Sequence, residues 1–250
     1  QLGSTSPPVS PNTSIQASSP VTVSAEGDTL EFSQVAAGET HACGIEDESG
    51  ALLCWGNNLS YQLGTGDRSS SAQPRSVQIS VAGGEPIFFQ VVAGKNHTCA
   101  LSVNPSPNPG VYCWGDNSYG QLGTGSAGGA DTNPRQPTLI PNLTSVQSLY
   151  AGGDHTCAIL NSGKAKCWGR NDWGQLGKGR EIDQSDHPYI ASPSLISTVS
   201  GGIESLGLGP LHTCALLSDS SVWCWGNNSF GQLGDGTSTS RVTAAPVLYY

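Results

Sequence analysis

The chain predicts an all-β protein, a β-propeller of four four-stranded blades with one disulfide in each blade hairpin. Three observations carry that prediction. One unit recurs four times at a period in the middle fifties, each unit holds four strand-like segments, and the composition disfavours helix. Of 250 residues 33 are Gly and only 12% are charged. Ala, Leu, Glu, Lys and Arg rich stretches build helices, whereas a Gly, Ser, Thr and Asn rich chain suits tight turns between short strands.

The units are seen best by their fixed residues. His41, His97, His155 and His212 recur at 56, 58 and 57 positions, and Trp55, Trp114, Trp168 and Trp225 at 59, 54 and 57. Such a period is too long for leucine-rich or ankyrin repeats and fits a propeller blade with its loops. The first strand candidates are LEFSQVA (30–36), IFFQVVA (87–93), SVQSLYA (145–151) and IESLGL (203–208). The second open at each His and the third end at each Trp. The fourth are PRSVQI (74–79), a short stretch at 134–140, SPSLIST (192–198) and APVLYY (245–250). The expected blades are 31–80, 87–140, 145–199 and 203–250. Residues 1–20 read as a Pro/Ser/Thr-rich leader or linker, and 21–30 as an extra strand covering a sheet edge. The four blades either close as a compact ring or are part of a larger ring or longer protein, and counting strands favours the closed ring, since an open edge invites aggregation.

The eight cysteines fall into four close pairs, Cys43 with Cys54, Cys99 with Cys113, Cys157 with Cys167 and Cys214 with Cys224, separated by 11, 14, 10 and 10 positions. Zinc sites space paired cysteines by two to four residues, so hairpin-bridging disulfides are the reading. Closing loops of this size contributes roughly 2–3 kcal/mol each. Structural disulfides imply an oxidising compartment, and sequons at Asn12, Asn58, Asn96, Asn142 and Asn227 point the same way. Together they predict a secreted or cell-surface glycoprotein.

A net charge of −9 lacks the cationic footprint of a nucleic-acid binder, and no apolar run is long enough to span a bilayer. The expected partners are proteins, copies of this chain or glycans. No catalytic set emerges: no G-x-S-x-G elbow follows a strand, and the four repeat histidines hold one structural position each. Asp67, Asp131, Asp183, Asp186 and Asp235 show none of the alternating ligand spacing of a calcium loop. No metal, cofactor or catalytic residue is expected. The histidines are read as ties from one blade's backbone to the next, and the Gly-Gln-Leu-Gly turns as holding Leu63, Leu122, Leu176 and Leu233 between blades. Tyr61, Tyr119, Trp173 and Phe230, at or just before that turn, would form an aromatic rim on one face for a partner chain or a sugar.

The pattern Gly…His-Thr-Cys-Ala-Leu…Val-x-Cys-Trp-Gly-x-Asn-x-x-Gly-Gln-Leu-Gly-x-Gly, matched four times over about 31–250, resembles the regulator-of-chromosome-condensation repeat family of β-propellers. The resemblance implies blades around a central axis, commonly seven in the intracellular founder. Its nucleotide-exchange and chromatin roles do not suit an acidic chain. Its light-sensing branch places Trp-Arg before His-Thr, where this chain has Lys95-Asn96, Gly153-Asp154 and Pro210-Leu211. The cysteines assign the chain to the family's extracellular branch. The expected function is a non-enzymatic structural and interaction module, a glycosylated subunit of a cell-surface, wall or filament assembly. The alternative is a soluble or receptor-borne recognition module that binds a protein or glycan through one propeller face.

Overall fold

The computed structural model describes residues 24–25, 28–79, 84, 86–102, 109–128, 133–179 and 189–248. Among them no helix forms, and none is therefore long and apolar enough to cross a membrane. Sixteen strands make four antiparallel sheets of four, each ordered along the chain from the axis outward. Blade 1 is β3 (Phe32–Ala37), β4 (His41–Glu46), β5 (Leu52–Gly56) and β6 (Ser71–Ser76). Blade 2 is β7 (Phe88–Ala93), β8 (His97–Ser102), β9 (Gly110–Gly115) and β10 (Thr138–Leu139). Blade 3 is β11 (Val146–Ala151), β12 (His155–Leu160), β13 (Ala165–Arg170) and β14 (Tyr189–Leu195). Blade 4 is β15 (Ile203–Leu208), β16 (His212–Leu217), β17 (Val222–Gly226) and β18 (Arg241–Pro246). A two-residue ladder, β1 (Ser24–Ala25) with β2 (Asp28–Thr29), lies beside the outer strand β6 without joining its sheet.

Each disulfide bridges directly opposed positions of the second and third strands: Cys43–Cys54, Cys99–Cys113, Cys157–Cys167 and Cys214–Cys224. The outer strands β6, β14 and β18 lie three or four residues before the segments their apolar residues suggest. Just past the strand ends Val77 and Ile196 make a last backbone bond to the carbonyls of Leu52 and Ala165, and with Ile79 their side chains pack into the inter-blade cores, so the end of the apolar run is a plug beneath the blade.

Alternation of side chains across the pleat gives every blade two apolar faces. One, here the trailing face, carries the disulfide and the residues around it. The other, the leading face, carries the Trp. Cys43, Ile45, Leu52, Cys54 and Leu63 of blade 1 meet Phe88, Val91, Ala100, Tyr112 and Trp114 of blade 2. Cys99, Leu101, Val111, Cys113 and Leu122 meet Val146, Leu149, Ala158 and Trp168 of blade 3. Cys157, Ile159, Ala165, Cys167 and Leu176 meet Ile203, Leu206, Ala215 and Trp225 of blade 4. The core of the molecule is thus three copies of one junction. Among the described residues, the strands of blade 4 do not pack on those of blade 1 as the other consecutive blades do.

Candidate functional site

A repeated polar relay locks each junction at the inner end of the second strands. His41 Nε2 lies 2.9 Å from Thr98 Oγ1, His97 Nε2 2.9 Å from Thr156 Oγ1, and His155 Nε2 3.0 Å from Thr213 Oγ1. Each Thr hydroxyl donates onward to the backbone carbonyl of Gln62, Gln121 or Gln175. The same carbonyl accepts the indole N–H of Trp114, Trp168 or Trp225 at 2.9 Å. With the hydroxyl proton spent on the carbonyl, Nε2 must be the protonated nitrogen that donates to Thr. Nδ1 of His41, His97 and His155 is left buried with no partner. It faces a glycine three residues earlier: a Cβ at Gly152 would stand 2.5 Å from His155 Cε1 and 2.6 Å from the Gly209 carbonyl. Burial drives His97 down to about 4, and His41 and His155 to about 3, because a charged imidazole would lose its hydration and gain no acceptor. The histidines therefore join blade to blade through a side-chain hydroxyl, not through backbone, and through one nitrogen only. They are neutral struts, and among the described residues no cluster of three ligating side chains occurs.

The loops following β5, β9, β13 and β17 gather at one end of the blades and carry the aromatic residues. Each is clamped by a buried asparagine: Asn58, Asn117, Asn171 and Asn228 accept the backbone N–H of Leu63, Leu122, Leu176 and Leu233 at 2.9–3.2 Å. The turn glutamines Gln62, Gln121, Gln175 and Gln232 accept the N–H of Ser60, Tyr119, Trp173 and Phe230. By this register Ser60, not Tyr61, is the equivalent of the other three aromatics. Tyr61 occupies the place of the turn glycine, at φ +64° where Gly120, Gly174 and Gly231 adopt +73° to +80°.

The four rim residues meet different surroundings. Guanidinium groups of Arg68 and Arg135 lie over the Tyr61 ring at 4.7 and 5.7 Å, and Arg170 of blade 3 over Tyr119 of blade 2 at 4.9 Å. Asn227 stands where a further arginine would cover Trp173, which is 39% exposed, and Phe230 is 94% exposed. Arg170 also pairs with Asp172 at 2.6 Å and Asp154 at 3.3 Å; burial pushes the Asp154 carboxyl up, against the pull of Arg170. Beside these loops a depression of about 450 Å³ opens on the axis, ringed by Gly38, Gly94, Gly152 and Gly209 and by Glu39, Lys95, Asp154 and Arg170. The loop carboxylates Asp67 and Asp235 are held down at about 2, Asp67 chiefly by its hydrogen bond from Arg75 and Asp235 by those from Thr237 and Arg241.

Asn58 is fully buried, its Nδ2 donating to Thr65 Oγ1 and to the carbonyls of Asp67 and Ser69. Asn227 is buried too and accepts from Ser229 N–H and Gln232 Nε2. Asn96 is half-buried and Asn142 exposed at φ +59°. Asn12, Asp131, Asp183, Asp186, His187 and the 1–20 leader lie outside the described residues.

The regulator of chromosome condensation (RCC1) repeat profile matches residues 49–101, 110–159, 162–216 and 219–248. The chain is similar to the ultraviolet-B receptor UVR8 of Arabidopsis thaliana, 32% identical over 88% of this chain and 47% of that protein. It is also similar to the human E3 ubiquitin-protein ligase HERC2, 28% identical over 88% of this chain and 4% of that protein. Prp20p of Saccharomyces cerevisiae shares the fold at a TM-score of 0.75 and 19% identity, over 89% of this chain and 51% of that one. The chain thus spans about half the length of UVR8 and of Prp20p, and a small part of HERC2.

These relatives are nuclear or cytoplasmic proteins, and they overturn the assignment to an extracellular branch. With it go the secreted or cell-surface location, the glycoprotein reading and the structural subunit of a wall or filament. The cysteines report hairpin register, and at Asn58 the sequon is a by-product of an asparagine needed to clamp a turn. The alternative, a recognition module, fits these relatives better. The relatives named include a receptor, a protein described by its binding and a ubiquitin ligase of which the chain matches 4%.

Proposed function

The chain belongs to the RCC1 repeat family, and on that premise we propose that it is a recognition module that binds a partner protein through the loop face carrying Trp173 and Phe230. The observation that carries the reading is the contrast along the rim. Tyr61 and Tyr119 are roofed by arginines, while Trp173 and Phe230 stand exposed on turns held rigid by buried asparagines. Exposed aromatics on a rigid frame give contact area at little entropic cost, which is where interface energy concentrates. The protein Prp20p is described by its binding to Gsp1p and histones, which favours a protein ligand here as well. A net charge of −9 favours a partner with a basic surface, through faster encounter.

The test is paired capture from extract with the wild-type chain and the Trp173→Ala/Phe230→Ala double variant, both shown to be folded by their disulfide-intact unfolding curves. A protein retained by the first and lost by the second supports the reading. Identical captures from both would overturn it. A glycan array bound through the same two aromatics, with no protein retained, would replace the protein ligand by a sugar stacked on Trp173.

A further inference from the structure

The outer strand β14 of blade 3 leaves its ladder at one place. Cys167 pairs with Ser194 and Gly169 with Ile190, so Ala191, Ser192 and Pro193 arch over the single residue Trp168. The arch is pinned where the Gly125 N–H of blade 2 donates to the Ala191 carbonyl at 2.9 Å. Ser192 is exposed, and its hydroxyl makes no hydrogen bond among the described residues, whereas Ser194 accepts one from the Lys178 ammonium. Pro193 has no N–H to return to a ladder, and it holds Ser192 in extended backbone. A second feature adjoins the arch. Ser192 and Pro193 share a recess of about 220 Å³ with Lys166 of β13 and the Gly123–Gly125 turn of blade 2, and no carboxylate lines it. The other blades place Leu53, Tyr112 and Trp223 at the register position of Lys166, so the cation is peculiar to blade 3. In a chain with 19 acidic side chains against 10 Lys and Arg, Lys166 has no ion pair or hydrogen bond among the described residues.

From this arrangement we propose that Ser192 is a phosphorylation site, modified by a protein kinase that takes proline after its acceptor serine, and that Lys166 receives the phosphate. The acceptor hydroxyl is unengaged, lies on extended backbone and stands clear of the ladder, so a kinase reaches it without opening the blade. The Ser192 oxygen attacks the γ-phosphorus of Mg-ATP, and the bond from that phosphorus to the bridging oxygen breaks. ADP leaves with the electron pair, and the hydroxyl proton passes to the kinase's base. The ester carries close to two negative charges and three acceptor oxygens. Lys166 pairs with them in the shared recess, which ties the modified arch to β13 beside the turn of blade 2.

The test incubates the folded, disulfide-intact 250-residue chain with ATP and a cyclin-dependent or mitogen-activated protein kinase, and locates phosphate by tandem mass spectrometry. Ser192 is expected to be modified. Pro193→Ala lowers the rate at Ser192 about tenfold or more, and unfolding curves confirm that the variant folds. The Ser-Pro pairs at Ser19 and Ser106 report in the same sample that the kinase is active. A titration of the phosphoserine followed by phosphorus NMR then tests Lys166. The second ionisation of the ester, ordinarily near 6, falls by about half a unit beside the ammonium, and Lys166→Gln returns it. Ser192 left unmodified in the folded chain overturns the proposal, as does modification that Pro193→Ala leaves unchanged. An ionisation that is the same with Lys166 and with Lys166→Gln overturns the part given to Lys166.

Discussion

Thr156→Val removes one hydroxyl from the junction of blades 2 and 3 and keeps its shape. Thr156 is fully buried, accepts from His97 Nε2 at 2.9 Å and donates to the Gln121 carbonyl at 2.9 Å. The carbonyl keeps a partner in the variant, the Trp168 indole at 2.9 Å. The imidazole does not: its Nδ1 is already unpartnered, so the variant buries a ring with no hydrogen bond at all. Leaving a buried donor unsatisfied costs about 1–3 kcal/mol, and valine fills the space, so no cavity is added. About 2 kcal/mol at a slope near 2 kcal/mol per M lowers the urea midpoint by about 1 M. Thr156→Ser keeps the hydroxyl and loses one methyl, a cost of about 1 kcal/mol. Urea unfolding followed by tryptophan fluorescence separates the two. If Thr156→Val stays within about 0.5 kcal/mol of the parent, or falls no further than Thr156→Ser, the relay is not what holds the junction.

Three further outcomes follow from the same geometry. Acidification should destabilise the chain before Asp67 or Asp235 titrates: His41, His97 and His155 are held at about 3 to 4 in the fold against 6.5 when unfolded. The unfolded chain then binds more protons, and stability falls as pH drops from 6.5 towards 3, by about 2 kcal/mol per histidine at pH 5. Asp67 and Asp235, held at about 2, lose their contribution only below about 4, so a urea midpoint that is flat from pH 7.5 to 5 contradicts the buried neutral imidazoles. Gly152→Ala places a Cβ 2.5 Å from His155 and should cost about 1–3 kcal/mol as overpacking, whereas Gly207→Ala meets open space and should change the unfolding midpoint little; equal effects would contradict the packing described. Under mild reductant Cys214–Cys224 should open first, because Cys214 is the one partly exposed bridge cysteine, and alkylation followed by mass spectrometry that finds Cys99–Cys113 opening first would refute this.

What could be read without coordinates was whatever the repeat displays four times. The hairpins, cysteine pairs and inter-blade leucines follow from spacing, because a residue at one register position meets one environment in every blade. The outer strands were misplaced because Val77, Ile79 and Ile196 look like strand and act as plugs. The asparagine clamp was within reach, since Asn58, Asn117, Asn171 and Asn228 hold one place in every unit; treating Asn58 as a sugar acceptor hid it. The roofing of Tyr61 by Arg135, 74 positions away, and the uneven exposure of the rim depend on contacts between blades that periodicity does not encode. Compartment was misjudged because a disulfide in a hairpin answers a geometric need before it reports on where the chain resides.

The central claim is that the end of the blades bearing Phe230 is the recognition face. A photo-crosslinking side chain placed at position 230 tests it directly, with position 219 as control, since Asp219 is exposed in the hairpin loop at the opposite end of the same strands. A covalent adduct to a protein partner is expected from position 230 and none from 219. Equal adducts from both positions, or an adduct from 219 alone, would contradict it.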